Sequence, residues 1–214
     1  MRSDINKYPH QVFTGFSGYL DENMINDGKL EPTNEGHAFS KLYSSKLCTF
    51  ITEDNKDFFY KTLIPCNLYG DNDNFNLESS HFIPAIIKKI SLAKLQNKKE
   101  VIVWGDGKPR REIMHVQDLS DGIIFCIKKF EKIPNVLNIG PGSDLKIIDY
   151  YKIVSKILNH KTKFVFDLSK PNGMKRKVLN VKKINSLGWY NKISANKGLK
   201  ITTLKYFNNI KNNL

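Results

Sequence analysis

The chain has 214 residues, 40% of them hydrophobic, enough for one domain or two small ones built around real cores, and this excludes a wholly disordered protein. Its 34 Lys and Arg against 21 Asp and Glu leave a net charge of +13. The basic residues are scattered, and neither a zinc-finger spacing nor a basic-aromatic RNA-binding signature is present, so neither nucleic acid nor metal is an expected ligand. No apolar run approaches membrane-spanning length and the first residues lack the apolar core of a signal peptide, which leads to the expectation of a cytoplasmic protein without a membrane partner.

After a polar, glycine-containing opening, the spacing of Ala38, Leu42, Ser45 and Thr49 predicts a helix over Ala38 to Ile51. Phe58 to Leu63 reads as a strand that enters a loop at Pro65. An Asp- and Asn-rich loop from Asp71 to Ser80 leads into an amphipathic helix, His81 to Leu95, with Pro84 in its first turn. Val101 to Trp104 is a predicted strand closed by Gly105-Asp106-Gly107, a hairpin-type turn signal. A helix over Val116 to Phe130, a strand over Val136 to Ile139, a helix over Ile147 to Leu158, a strand over Lys163 to Phe166 and a helix over Ser194 to Asn208 complete the order. This alternation predicts α/β architecture. Cys48, Cys66 and Cys126 are far apart in apolar or strand-like settings and read as reduced core cysteines.

Several residues carry candidate chemistry. Trp104, Lys108 and Arg111 surround a tight turn and suit stacking and the pairing of phosphate oxygens, although charged loop residues are often simply solvated. His81 opens a helix, where it can bond backbone. Asn67 closes a strand as a turn former. His115 and Asp118 read as a packed histidine and a helix-start carboxylate. The segment from Val12 to Leu20, V-F-T-G-F-S-G-Y-L, contains G-x-x-G without a third glycine and reads as a glycine-rich surface segment rather than a phosphate loop.

Five blocks in register, L-E-P-T-N-E-G-H-A-F-S-K, P-C-N-L-Y-G-D-N-D-N-F, S-S-H-F-I-P-A, V-W-G-D-G-K-P-R-R-E-I-M-H-V-Q-D and F-D-L-S-K-P-N-G-M-K-R-K-V-L-N-V, resemble the GDP-L-fucose synthase family of extended short-chain dehydrogenases. The resemblance implies an incomplete Rossmann-type (doubly wound) sheet with a smaller α/β substrate-binding domain. Residues 1–72 would then be the remnant of the NADP-binding half and 73–214 mainly the substrate half, with 115–142 returning to the Rossmann sheet. The implied reaction is epimerisation of GDP-4-keto-6-deoxymannose at C3 and C5 and NADPH-dependent reduction at C4.

The same resemblance assigns roles. The family's Tyr-x-x-x-Lys pair falls on His37 and Lys41, so the lysine is kept while a histidine takes the tyrosine's place. Lys41, Asn67 and His81 would meet NADP(H), and His81 would be the acid/base of epimerisation. Lys89, which replaces an arginine, and Trp104, Lys108, Arg111, Lys170 and Arg176 would hold the GDP-sugar. The family's serine and cysteine positions fall on Asp4 to Lys7, and the family's glycine-rich opening strand is not matched. Impaired reduction is therefore expected, with a noncatalytic nucleotide-sugar-binding remnant or a subunit of a split enzyme as the alternative. The expected partners are a GDP-sugar and either a second copy of the chain or a separately encoded N-terminal half.

Overall fold

The computed structural model describes residues 18–26, 30 and 35–212. Helix α1 (Glu35–Asp54) is followed by strands β1 (Thr62–Pro65) and β2 (Asn67–Tyr69), helix α2 (Phe82–Leu95) and strands β3 (Glu100–Trp104), β4 (Arg110–Arg111) and β5 (Ile113–His115). Helix α3 (Val116–Lys128), strands β6 (Val136–Ile139) and β7 (Leu145–Lys146), helix α4 (Ile147–Ile157), strands β8 (Lys163–Asp167) and β9 (Arg176–Lys177), and helices α5 (Lys182–Ser186) and α6 (Ala195–Asn212) complete the order. Strands pair in parallel as β1 with β6, β2 with β5 and β3 with β8. A fourth sheet runs β7-β4-β9, antiparallel on the first side and parallel on the second.

Parallel neighbours distant in sequence require crossover helices, which is why helices alternate with strands here as the sequence predicts. Helix α2 shows the logic. Ile83, Ile86, Ile87 and Ile90 recur at helical spacing, all 2% exposed or less, and Pro84 occupies the first turn, where no backbone donor is lost. The helix stops at Asn97, whose φ of 58° is left-handed, while Lys98 N–H reaches back to Ala93 O and Asn97 N–H to Lys94 O. Asn159, φ 46°, ends α4 the same way through His160 to Ser155 and Asn159 to Lys156.

The apolar residues form two cores. One gathers Ile64, Cys66, Met114, Leu137, Ile139, Ile184 and Trp189 around β1 and β6. The other gathers Ile87, Ile90, Val101, Val103, Tyr150, Val154 and Leu199 among α2, α4, α6 and β3. Each core lies where parallel strands meet helices, so both continue a Rossmann-type α/β arrangement.

Four expectations need correction. The strand expected over Phe58 to Leu63 begins at Thr62 and, after Cys66, continues as β2; Phe58, Phe59 and Tyr60 lie before it, exposed, because Thr62 is where pairing to Val136 starts. The Gly105-Asp106-Gly107 turn exists, with φ of 70° at Gly105 and 68° at Gly107, but it joins no hairpin: β3 pairs with β8, while β4 pairs with β7 and β9. Cys66 and Cys126 are buried thiols outside any disulfide, and burial raises the Cys126 pKa, whereas Cys48 is only half-buried on α1. In the glycine-containing segment, residues 12–17 lie outside the described residues, and Leu20 is fully buried and bridges Leu179, so its end belongs to the core rather than the surface. Asp4 to Lys7 also lie outside the described residues.

Candidate nucleotide-sugar site

The carboxyl ends of β3 and β8 build the candidate site. Trp104 is in register with Asp167, and Gly105 N–H donates to Asp167 O at 2.9 Å, which turns the chain away from the sheet there. The turn is then pinned from outside: Asn172 Oδ1 accepts Asp106 N–H at 2.8 Å, and Asp106 Oδ1 accepts Lys108 N–H at 2.9 Å. A Cβ at Gly105 would lie 2.2 Å from Asn172 Oδ1, and its φ is left-handed, so only glycine fits.

This places the Trp104 indole at the sheet end with 54% of its surface exposed. Two ammonium groups stand over it, Lys89 Nζ at 4.9 Å and Lys170 Nζ at 5.5 Å from the ring centroid. Lys89 also donates to Ile102 O at 3.1 Å, and burial lowers its pKa against the opposing pull of Asp167. Lys108 is largely exposed, 3.7 Å from Asp106. The arrangement offers an aromatic face and flanking cations, which suits a planar base and phosphate oxygens.

Arg111 and Arg176 face inward. Arg111 is 7% exposed and donates Nη1 to Arg110 O and to Met174 O, bracing the loop that carries Asn172. Arg176 donates Nε to Asp144 Oδ2 at 2.8 Å, and Arg110 donates Nε to the same oxygen at 3.1 Å. The Arg176 guanidinium lies 4.8 Å from the Tyr19 ring centroid. Asn172 and Asp144 are structural members of the site that the sequence motifs do not single out. The signal for Asn172 is the Gly-Asp-Gly turn itself, which needs an acceptor for its Asp106 N–H.

The remaining candidates lie on other elements. His81 is the N-cap residue of α2, half-buried, with extended backbone and no side-chain capping bond. Asn67 opens β2 and donates Nδ2 to Glu112 O at 2.7 Å. His37, half-buried, and Lys41, exposed, lie one turn apart on α1, and Ser40 Oγ donates to His37 O. His115 and Asp118 take the structural roles read from sequence. His115 is buried, accepts Gln117 N–H on Nδ1 and meets the Tyr69 ring edge-on at 5.5 Å; Asp118 accepts the Lys192 and Ile193 N–H groups at 3.0 Å each.

The sequence profile of the NAD dependent epimerase/dehydratase family matches residues 14–140. The chain belongs to that family. It is 47% identical over 206 residues to the GDP-L-colitose synthase of Yersinia pseudotuberculosis, covering 96% of this chain and 65% of that protein. It is 36% identical over 192 residues to the GDP-L-fucose synthase of Escherichia coli (strain K12), covering 86% and 59%. Among solved structures, MlghC, a GDP-mannoheptose C4 reductase from Campylobacter jejuni with NADP bound, superimposes with a TM-score of 0.79 at 27% identity over 94% of this chain and 67% of that one. The chain thus spans about 60 to 65% of the length of these curated relatives. Both the resemblance to the GDP-L-fucose synthases and the Rossmann-type α/β fold expected from the motifs are borne out. Among the described residues no helix is long and apolar enough to cross a membrane.

Proposed function

We propose that this chain binds a GDP-sugar as part of an epimerase-reductase of the GDP-L-fucose or GDP-L-colitose synthase kind, with the nucleotide held at Trp104. The observation that carries this reading is the half-exposed indole flanked by Lys89 and Lys170 at the carboxyl ends of parallel strands, where ligands of doubly wound sheets bind. Lys108, exposed beside the turn, adds a further cation for phosphate, while Arg111 and Arg176 shape the loop and sheet behind it. His81 is the group of this chain suited to move a proton alpha to a sugar ketone. We assign residues 1–72 to the cofactor half and 73–214 mainly to the substrate half, with 115–142 returning to the first; the division of the apolar residues into two cores supports this, although residues 179–189 also pack into the first.

The cofactor of this reading is NADP(H), which would supply the hydride for reduction at C4. Lys41 and Asn67 are the residues that would hold it: an exposed cation on α1 and an amide fixed by Glu112 at the head of β2. His37, one turn before Lys41, favours a second reading in which the sugar nucleotide is bound without reduction, because an imidazole is shorter than a phenol and does not reach as far from the helix. Calorimetry with GDP and with NADPH separates the two.

The test of the main reading is GDP titration of the wild type and of Trp104→Ala. Loss of the stacking face is expected to weaken GDP binding about five- to 150-fold, on the order of 1–3 kcal/mol, with the fold unchanged. Equal affinity of the two proteins would remove Trp104 from the site.

A second copy of the chain is the partner this reading assigns. Phe39, Tyr43 and Phe50 on α1 are 59%, 58% and 60% exposed, and Phe39 stacks on Tyr43 at 6.3 Å, an apolar stripe of the kind interfaces cover. In sedimentation velocity the wild type should be dimeric at micromolar concentration and the double variant Phe39→Glu/Phe50→Glu monomeric; a monomeric wild type refutes the assignment.

A further inference from the structure

Glu112 stands between β4 and β5, where the two cores meet, and is 1% exposed. Its main chain already ties several segments together, since its N–H donates to Lys177 O at 3.1 Å and its carbonyl accepts from Asn67. The side chain adds two more ties. Oε1 accepts Gly142 N–H at 2.6 Å and Oε2 accepts Leu179 N–H at 2.8 Å. The turn that follows β6 is shaped around this carboxylate: a Cβ at Gly140 would lie 2.5 Å from Oε1, and Gly142 has a left-handed φ of 67°.

The ionisable neighbours come from every side. Lys177 on β9 favours the charged carboxylate, and Asp144, ahead of β7 and itself held by Arg110 and Arg176, opposes it. Cys66 lies beside Gly140 from the β1–β2 junction, and the Tyr150 hydroxyl on α4 donates to Arg111 O next door. Burial outweighs the two backbone donors and pushes the Glu112 carboxyl up to about 7.

We propose that Glu112 is a proton-operated latch that fastens the 140–142 turn to the segment containing Leu179. When ionised, the carboxylate accepts from both backbone donors. When protonated, the oxygen that carries hydrogen is a poor acceptor, and the N–H it faced, Gly142 or Leu179, is released. The carbonyl of the same residue holds the Asn67 amide.

The test is amide hydrogen exchange at Gly142 and Leu179 in the full chain from about pH 5.5 to 8.5, corrected for the intrinsic base-catalysed rate, together with 13C-carboxyl NMR of labelled glutamates. Protection of at least one of the two amides should rise about tenfold as pH passes through neutrality, the loss or gain of one hydrogen bond. The carboxyl resonance missing from Glu112→Gln should titrate with the same midpoint, and the variant should show no step in exchange. A step that persists in Glu112→Gln overturns the proposal. Should that variant not fold, the wild type decides alone: flat protection, or a step whose midpoint matches no glutamate carboxyl, overturns it equally.

Discussion

Asp144→Ala is expected to destabilise the fold by about 3 kcal/mol, the low end for removing one member of a buried charge pair, because both guanidinium partners keep access to water. The carboxylate is 4% exposed and receives Nε of Arg176 at 2.8 Å and Nε of Arg110 at 3.1 Å; Arg110 Nη2 adds a bond to its main-chain carbonyl at 2.7 Å. Removing it leaves two like charges facing each other across β4 and β9 without their shared carboxylate. For a chain of this length the loss corresponds to roughly 10 °C in thermal midpoint. Burial alone would raise the Asp144 pKa, but the bonds from Arg176 and Arg110 outweigh it and hold the carboxyl below its usual value. A depressed carboxyl contributes stability that is present above its unfolded pKa, near 4, and lost as pH falls through the folded one. Denaturation curves of wild type and variant should therefore be separated at pH 5 and above and converge in acid. A difference under 1 kcal/mol near neutral pH would show that the arginines find other partners.

The same network shows what a linear reading of the chain can and cannot see. Helices α2, α3 and α4 were legible because their buried residues recur at helical spacing, and β3 and β6 because β-branched residues cluster in them. Strands β4, β5, β7 and β9 have two or three residues each, and their pairing is dictated by segments far away in the chain, so no local pattern announces them. The ends at Asn97 and Asn159 were hidden because asparagine, unlike glycine, is also common in ordinary loops. At the candidate site, sequence shows the charge of Arg111 but not the carbonyls of Arg110 and Met174 that occupy it. Trp104 and Lys170 come together only through the β3–β8 pairing, and motif resemblance, rather than spacing, placed them in one site.

Tyr150→Ala is expected to cost about 4 kcal/mol, as for other fully buried aromatic truncations, and Tyr150→Phe roughly 1–2 kcal/mol. The ring is 1% exposed, packed edge-on against Phe82 at 5.8 Å within the second core, and its hydroxyl donates to Arg111 O at 2.6 Å. Burial holds the phenol pKa well above its usual value, so the hydroxyl stays a donor across the working pH range and the cost should not vary with pH there. The phenylalanine variant isolates the hydroxyl, since the packing is kept while the Arg111 carbonyl loses its donor and the Leu145 backbone its bond to the phenol oxygen. Arg111 in turn braces Met174, and the same loop presents Asn172 to the 105–107 turn beside Trp104. Tyr150→Phe should therefore weaken GDP binding by a few-fold as well as lower stability, whereas a substitution of equal cost elsewhere in the core, such as Ile90→Val, should lower stability alone. Chemical denaturation paired with GDP titration of both variants reads the two effects separately. Identical GDP affinities would mean that the loop is held by the Asn172–Asp106 bond without help from Arg111, and that the core beneath β3 supports the fold without positioning the site.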